Sequence, residues 1–353
     1  MTDIRAHLCA CLRDPSVHIE SLPADVIARA RVERVHLLLA DRLRLHVFDD
    51  DLRAAAVIEA AREHELRAVL SELANAGVRT ILLKGASLAR THYSRPELRP
   101  RTDTDLMIPM PAREATARAL ITRGYHRPPE VDGSLTTGQF HFHKGDRNGL
   151  FHALDVHWRV SNVRAFADVL TYEELARDAV TIQTLGIHAW SPSPVHALLI
   201  ACVHRVAHHS DTNCLLWLFD VHLIARAFSP HECESFIRLA SARRVRAVCA
   251  RTLDLAQTAF GGIDADWIAS LRNASDAVEP SAAFLGGGLR QVDMLRADLI
   301  ATRRFSARLQ LLQEHLFPSP AYMYARYRTR QRLALPFLYL HRIVSGLPKW
   351  FRR

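Results

Sequence analysis

Hydrophobic residues in the first part of the chain recur at spacings of three and four. Two stripes show this pattern: Val32, Val35, Leu38 and Leu39, then Leu66, Val69, Leu70 and Leu73. Such spacing places the apolar side chains on one face of an α-helix. Gly77 follows the second stripe, and glycine is favoured just past the end of a helix. We therefore predict that residues 1–77 form an N-terminal helical segment.

A different pattern begins at residue 78. Short β-branched and aliphatic runs, typical of buried strands, occur at Val78–Leu83, Thr102–Ile108, Thr136–His143, Leu150–Val160 and Val180–Trp190. Ala112–Arg123 has the pattern of a helix between two of these strands. The turn dipeptide Asn148-Gly149 predicts that residues 136–160 form a hairpin. We therefore predict an α/β core over residues 78–190.

The chain from residue 191 onward reads as helices separated by turns. Turn signals occur at Ser229-Pro230, Gly261-Gly262, Gly286–Gly288 and Pro318–Pro320. Ser191–Pro194 breaks the preceding pattern, and we expect Ser193 to cap a helix that begins near Pro194. These signals predict a helical C-terminal domain over residues 191–353.

The composition is that of an ordinary globular protein, with 49% hydrophobic and 24% charged residues among 353. The first residues lack the apolar stretch of a signal peptide, and no apolar run reaches the roughly 20 residues of a membrane-spanning helix. The six cysteines show neither a CxxC pair nor zinc-ligand spacing. We therefore predict a cytoplasmic protein with reduced, mostly buried thiols and no integral membrane association.

The net charge of +9 favours anionic partners. Nucleotide phosphates, nucleic acid and a membrane surface all satisfy this condition, so charge alone does not choose among them.

The first stretch that suggests specific chemistry begins where a predicted strand runs into Lys84-Gly85-Ala86-Ser87. A helix is predicted to start at Ser87. A turn of small residues at a helix N-terminus offers backbone N–H groups to phosphate oxygens. Lys84 adds a point charge and Ser87 a hydroxyl. The stretch is therefore a candidate phosphate-binding turn.

Acidic residues follow on two later strands. Asp103 and Asp105 are two positions apart on a strand, so their side chains project from one face. Two carboxylates on one face repel each other unless a cation lies between them, and Mg²⁺ prefers such ligands. Asp155 adds a third acid in another apolar strand. Three carboxylates suit a pair of metal ions.

A second acid pair serves as a control for this interpretation. Asp264 and Asp266 are also two apart and follow two glycines, but no apolar strand precedes them. Asp264 stands before a predicted helix, where an aspartate is a good N-cap. We therefore predict a structural role for Asp264.

Several other residues near these motifs have two interpretations. His157, two positions beyond Asp155, is either a ligand or substrate contact, or a hydrogen-bonded strand histidine. Arg101, like its neighbour Arg99, either steers a triphosphate or neutralises the aspartates. His204 and His208 have the i, i+4 spacing of metal ligands, yet no cysteine or glutamate nearby completes a zinc site, so we expect them to line the cleft or to cap polar contacts.

In order along the chain, these motifs resemble the uncharacterised nucleotidyltransferase family of the DNA polymerase β-like superfamily. The resemblance spans roughly residues 65–230. It rests on Leu-Leu-Lys84-Gly85-x-x-Leu88, Tyr93, Arg99…Asp103-x-Asp105-Leu106, Gly124-Tyr125, Leu154-Asp155-x-His157-Trp158, Leu198…His204…His208 and Leu215-x-Trp217-Leu218-x-Asp220. Where the wider superfamily has a Gly-Ser or Gly-Gly turn, this chain has Gly85-Ala86-Ser87.

The resemblance implies an α+β fold, with a polymerase β-like core made of a small mixed sheet flanked by helices. It also implies that Asp103, Asp105 and Asp155 are the catalytic metal ligands and that Lys84, Gly85 and Ser87 form the phosphate-binding turn. We include Arg101 and His157 among the expected nucleotide-binding residues.

The expected reaction is Mg²⁺-dependent transfer of a nucleoside monophosphate from an NTP to a hydroxyl-type acceptor, with release of pyrophosphate and two Mg²⁺ ions as cofactors. We expect the acceptor to be a small molecule, peptide or protein rather than nucleic acid. The alternatives are an RNA-directed nucleotidyltransferase, an RNA-binding protein, or a phosphotransferase on the same fold that acts on a peptide or protein.

Overall fold

The structure is a computed structural model that describes residues 4–14, 22–131, 133–147, 149–273 and 279–351. Asn148, on which the hairpin prediction partly depended, lies outside these residues. The predicted strands on either side of it do form an antiparallel pair.

A mixed sheet of six short strands forms the centre of the fold. In chain order the strands are β1 (Ile81–Leu82), β2 (Thr104–Met107), β3 (Gln139–Gly145), β4 (Phe151–His157), β5 (Val180–Thr181) and β6 (Trp190–Ser191). Their order across the sheet is β3-β4-β2-β1-β6-β5. Two pairs, β2–β4 and β1–β6, are parallel, and the other three are antiparallel. The predicted α+β class with a small mixed sheet is confirmed.

The N-terminal segment is helical, as predicted. It contains α1 (Ile4–Arg13), α2 (Ala24–Val32), α3 (His36–Leu43) and the long α4 (Asp49–Asn75). The second apolar stripe of the sequence, from Leu66 to Leu73, is buried on α4. In the first stripe Val32 is 71% exposed, whereas the other three residues are buried.

Helices also surround the sheet and dominate the C-terminal part of the described chain. Near the sheet are α5 (Lys84–Thr91), α6 (Arg113–Thr122), α7 (Arg164–Ala167) and α8 (Tyr172–Arg177). The C-terminal region contains α9 (Pro194–Ala207), α10 (Leu215–Ala225), α11 (Pro230–Ala242), α12 (Arg246–Phe260), α13 (Ala265–Asn273), α14 (Gln291–Ala301), α15 (Phe305–Leu316), α16 (Pro320–Arg326) and α17 (Leu335–Phe351).

Two local predictions were wrong. The stretch Val180–Trp190 is not one strand, because a 3-10 turn at Gln183–Leu185 and the positive φ of 101° at Gly186 reverse the chain between β5 and β6. Ser193 precedes α9, but within the described chain its side chain makes no capping hydrogen bond. Asp264, in contrast, accepts a hydrogen bond from the Asp266 backbone N–H at 2.8 Å, so its structural role is confirmed.

Alternation along the strands gives the sheet two different faces. The buried apolar side chains of one face pack with α4 and α6, and they include Leu106, Phe140, Phe142, Leu154 and Val156. The intervening residues of β2 and β4, among them Asp105, Asp155 and His157, belong to the opposite face. The sequence pattern therefore places every candidate strand residue on the side away from α4.

The hydrophobic core on that opposite side is continuous across residue 190. It joins Ile81 and Met107 of the sheet to Leu198 on α9 and Val221 on α10. The division at residues 77 and 190 into three domains stays a prediction. All six cysteines are present as thiols, and four of them are buried, as expected.

The C-terminal helices also contact the loop before β3. The Glu314 carboxylate on α15 accepts hydrogen bonds from three consecutive backbone N–H groups, those of Ser134, Leu135 and Thr136, at 3.0, 2.9 and 3.0 Å. Asp298 on α14 accepts a hydrogen bond from the Arg164 N–H at 2.8 Å.

None of the helices in the described part of the chain is both long enough and apolar enough to cross a membrane. The cytoplasmic location stays a prediction.

The apolar face of the sheet generates a stability prediction. Phe142 on β3 is fully buried, whereas Phe151 on β4 is 56% exposed. We expect Phe142→Ala to lower the free energy of unfolding by about 3–5 kcal/mol, because it removes a buried aromatic ring and leaves a cavity. Phe151→Ala is the matched control, with an expected loss of less than about 1 kcal/mol. Urea denaturation of both variants measures the difference, and equal losses would contradict the burial described here.

Candidate active site

Three adjacent strands bring the candidate side chains together. Asp105 on β2 pairs in register with Asp155 on β4, and Asp155 pairs with His141 on β3. His157 lies two residues beyond Asp155 and therefore on the same face. Neighbouring strands are only about 4.8 Å apart, so this register concentrates two acids and two imidazoles on a small area of the sheet.

Asp105 is the most strongly held of the acids. It is buried, and its Oδ1 lies 2.7 Å from the Lys84 ammonium and 2.9 Å from His157 Nε2. Burial opposes ionisation, but the Lys84 charge and the His157 hydrogen bond together keep the pKa of Asp105 well below its ordinary value. Asp105 is therefore a carboxylate at neutral pH.

Asp155 has the opposite electrostatic environment. Burial, and next the negative charge of Asp105, raise its pKa to about 6, and Asp103 adds to this effect. The imidazole of His141 partly compensates, with Nε2 3.7 Å from an Asp155 oxygen. The crowding of carboxylates that the sequence predicted is therefore present, and a bound cation would relieve it.

Asp105, Asp155 and His157 could hold a metal ion, because one potential ligand atom from each lies within 4.8 Å of the other two. Asp103 precedes β2 and is not in this group, but it lines the same cleft. Carboxylate oxygens suit Mg²⁺, whereas an imidazole nitrogen is more typical of transition metals. The assignment of Asp103, Asp105 and Asp155 as the metal ligands stays a prediction. His157, for which the sequence left a ligand role open, belongs to the group that could hold the ion.

The predicted phosphate-binding turn lies beside these acids. α5 begins at Lys84, whose φ of 47° is in the left-handed region that favours glycine. A Cβ at Gly85 would lie 2.6 Å from Arg99 Nη1, so any larger residue there would displace the Arg99 guanidinium from its present position. Ser87 is buried and its Oγ is 2.6 Å from the Ser191 Oγ. A phosphate contact by the Ser87 hydroxyl stays a prediction.

The two arginines before the acids are both paired with other acids. Arg101 Nη2 lies 2.9 Å from Glu59 on α4. Arg99 Nη2 lies 2.6 Å from Asp220 on α10, which also accepts a hydrogen bond from Tyr93 at 2.7 Å. Both guanidiniums line the cleft, and a role of Arg101 in nucleotide binding stays a prediction.

The opposite wall of the cleft comes from α9, α10 and the turn between them. It contains His204, His208, His209 and Trp217, and the cleft has a volume of about 270 Å³. The His209 ring stacks on Trp217 with centroids 3.8 Å apart, and its Nε2 lies 3.0 Å from His204 Nε2. The expectation that His204 and His208 line the cleft is confirmed.

These three histidines are uncharged at neutral pH. Burial, and next the Lys84 charge, lower the pKa of all three, to about 3 for His208 and about 4 for His209. The wall therefore adds hydrogen-bonding capacity without adding positive charge. Sequence reasoning missed His209, because it lies in a turn where no helical spacing marks it.

Comparison with known proteins identifies a family for this chain. The model of a family described as uncharacterised nucleotidyltransferase matches residues 22–261, more than half of the chain. The chain belongs to this nucleotidyltransferase family. The matched region contains the three acids, the Lys84 turn and the histidine wall. No curated protein matches the chain.

Family membership makes the protein an enzyme that transfers a phosphorus-containing group, with a nucleoside triphosphate as substrate. The resemblance stated from the sequence is thereby confirmed. In this nucleotidyltransferase, residues 262–353, including α14 and α15, lie beyond the matched region.

The raised pKa of Asp155 predicts a pH-dependent stability in the absence of divalent metal. Between the ordinary pKa of 3.8 and about 6, the folded state binds the proton more tightly than the unfolded state. The free energy of unfolding should therefore fall as pH rises through this range. We expect Asp155→Asn, which cannot ionise, to be more stable than the parent by about 2–3 kcal/mol above pH 7 and to match it below pH 4.

Urea denaturation in EDTA between pH 4 and pH 8 measures this difference. Asp168→Asn is a suitable control. Asp168 also lies within residues 78–190, but its side chain is 66% exposed. A constant difference between parent and Asp155→Asn at all pH values would show that Asp155 ionises normally.

Proposed function

We propose that this nucleotidyltransferase moves a nucleoside monophosphate from an NTP to a hydroxyl-type acceptor in a Mg²⁺-dependent reaction that releases pyrophosphate. The observation that carries the proposal is the pairing of Asp105 and Asp155 across two parallel strands, with Lys84 against Asp105. The reaction joins the acceptor oxygen to the α-phosphorus and breaks the bond from that phosphorus to the bridging oxygen of the β-phosphate. The hydroxyl proton passes to solvent.

Asp103, Asp105 and Asp155 are the residues that would hold the metal ions. Two bound Mg²⁺ ions would supply charge neutralisation of the phosphate oxygens and would lower the pKa of the acceptor hydroxyl. The oxygen donors and the carboxylate crowding that raises the pKa of Asp155 fit this assignment.

The remaining site residues would bind and orient the substrates. Lys84 and the backbone N–H groups near Gly85 would contact the triphosphate, because a cation and free N–H groups favour phosphate oxygens. His157 fixes the orientation of the Asp105 carboxylate through their 2.9 Å hydrogen bond. The uncharged histidines of the opposite wall would form hydrogen bonds with the nucleoside or the acceptor.

The charge pattern of the cleft favours a small molecule, peptide or protein acceptor over nucleic acid. A nucleic acid backbone needs a track of unpaired cations. Lys84, Arg99 and Arg101 all line the cleft, but each forms an ion pair with an acid. Arg34 lines the cleft without an ion pair among the described residues, and one such arginine does not make a track. Strongly salt-dependent RNA binding would favour the RNA-directed alternative instead.

The proposal predicts that Asp105→Asn abolishes turnover while the protein remains folded, because the amide carries no charge for the metal ion. Isothermal titration with ATP, GTP, CTP and UTP, with and without Mg²⁺, measures donor binding. We expect Mg²⁺-dependent binding of at least one NTP by the parent and its loss in Asp103→Ala/Asp105→Ala. Asp266→Asn, a change to an exposed acid outside the cleft, is the control and should behave as the parent does.

Labelled ATP then distinguishes the reaction types. Incorporation of label from the α-phosphate into an acceptor supports nucleotidyl transfer, whereas incorporation from the γ-phosphate alone would show a phosphotransferase. Full turnover by Asp105→Asn would refute the site assignment.

A further inference from the structure

Arg34 differs from the other cations of the cleft. Lys84, Arg99 and Arg101 are each paired with a carboxylate. Arg34 also lines the cleft, yet it forms no ion pair with any acid in the described part of the chain. Its Nη2 donates a hydrogen bond of 2.9 Å to the Pro100 carbonyl oxygen. This guanidinium therefore retains charge and donors for a ligand.

The acids whose charges act on Arg34 do not neutralise its guanidinium. The charges of Asp103 and Asp220 act on Arg34, but the stronger influences on its pKa, burial and the charge of Arg99, both lower it. Asp103 lines the same cleft and likewise has no ion pair among the described residues. Asp103 and Arg34 thus line one cleft without forming an ion pair with each other. Asp103 can therefore bind a cation, and Arg34 can bind an anion.

The backbone at Arg34 is held in a conformation that its residue type disfavours. Its φ is 60°, in the left-handed region that favours glycine. The preceding residue, Glu33, fixes this corner: its carboxylate accepts a hydrogen bond of 2.9 Å from the Leu215 N–H, and its carbonyl accepts one of 3.3 Å from Leu216. These contacts of Glu33 hold Arg34 at a fixed corner beside the cleft, and a left-handed φ also occurs at other arginines of the described chain, such as Arg44 and Arg328.

We propose that Arg34, from the N-terminal helical region, binds the phosphate oxygens of the NTP that leave as pyrophosphate. The inference rests on the proposed function. Arg34 lies near Arg99, and Arg99 packs directly against Gly85 of the phosphate-binding turn. A guanidinium can donate two parallel hydrogen bonds to a phosphate. Arg34 is thus a positioning residue for the triphosphate, one that sequence motifs did not indicate.

The test uses Arg34→Gly, since glycine removes the side chain and also relieves the backbone strain. Isothermal titration in the presence of Mg²⁺ measures the affinities for inorganic tripolyphosphate and ATP. The affinity for AMP is measured by its competition with ATP. We expect affinity for tripolyphosphate and ATP to fall about tenfold to a hundredfold, because charged hydrogen bonds are lost. AMP, which lacks the β- and γ-phosphates, should bind as before. The melting temperature should stay equal or rise.

Arg44→Gly is the matched control. Arg44 is also an arginine with a left-handed φ, of 51°, just after a helix, but it is exposed and outside the cleft. Its replacement removes the same charge and should leave binding of all three ligands unchanged. Arg34→Lys, which keeps a charge but not the planar donor pair, should bind ATP with intermediate affinity.

Three outcomes would overturn the inference. Equal binding of ATP by the parent and Arg34→Gly would refute it and leave the proposed function standing. An equal loss of affinity for ATP and AMP would show that Arg34 contacts the nucleoside or affects binding only through the stability of the fold. Failure of the parent itself to bind either ATP or tripolyphosphate would refute both the inference and the proposed function.

Discussion

The contact between the Lys84 ammonium and the Asp105 carboxylate, 2.7 Å long, is the interaction on which the rest of the site depends. Asp105 lies beside Asp155 in the sheet, and two buried carboxylates so close together repel each other. Lys84 supplies the opposite charge, and His157 supplies a hydrogen bond to the same oxygen. Asp105 is thereby held ionised while the pKa of Asp155 rises. The two carboxyl groups can therefore lie side by side in the sheet before any ligand binds.

Two further ion pairs attach the helical regions to this centre. Glu59 on α4 meets Arg101, and Asp220 on α10 meets Arg99, in each case just before β2. Because breaking a buried pair leaves an uncompensated charge, such contacts fix the geometry of their surroundings even where their net contribution to stability is small. The segment that leads into Asp103 and Asp105 is therefore held from both sides, by an N-terminal helix and by a C-terminal one.

The sequence predicted features that depend on neighbouring residues and missed features that depend on contacts between distant parts of the chain. The face shared by Asp155 and His157 follows from strand alternation, a local rule that tertiary packing did not override. The failed strand at Val180–Trp190 contains Gly186, whose positive φ turns the chain. The glycine is visible in the sequence, but a single glycine within a strand pattern does not distinguish a bulge from a reversal of the chain. Arg34 and His209 lie on corners between helices, and their positions depend on distant contacts such as that of Glu33 with Leu215, which no spacing reveals.

The attachment of the C-terminal helices has an evolutionary consequence. Glu314 binds the loop before β3 through three backbone N–H groups and the hydroxyls of Ser134 and Thr136, and it lies beyond the region that matches the family. Backbone N–H groups are present whatever the side chains are. The contact made by Glu314 therefore places few demands on the side chains of this loop, which can change during evolution while the backbone keeps the contact. The apolar side chains of α13 and α14, such as Trp267 and Met294, pack on the hydrophobic core instead, so their attachment does depend on the sequence of the core.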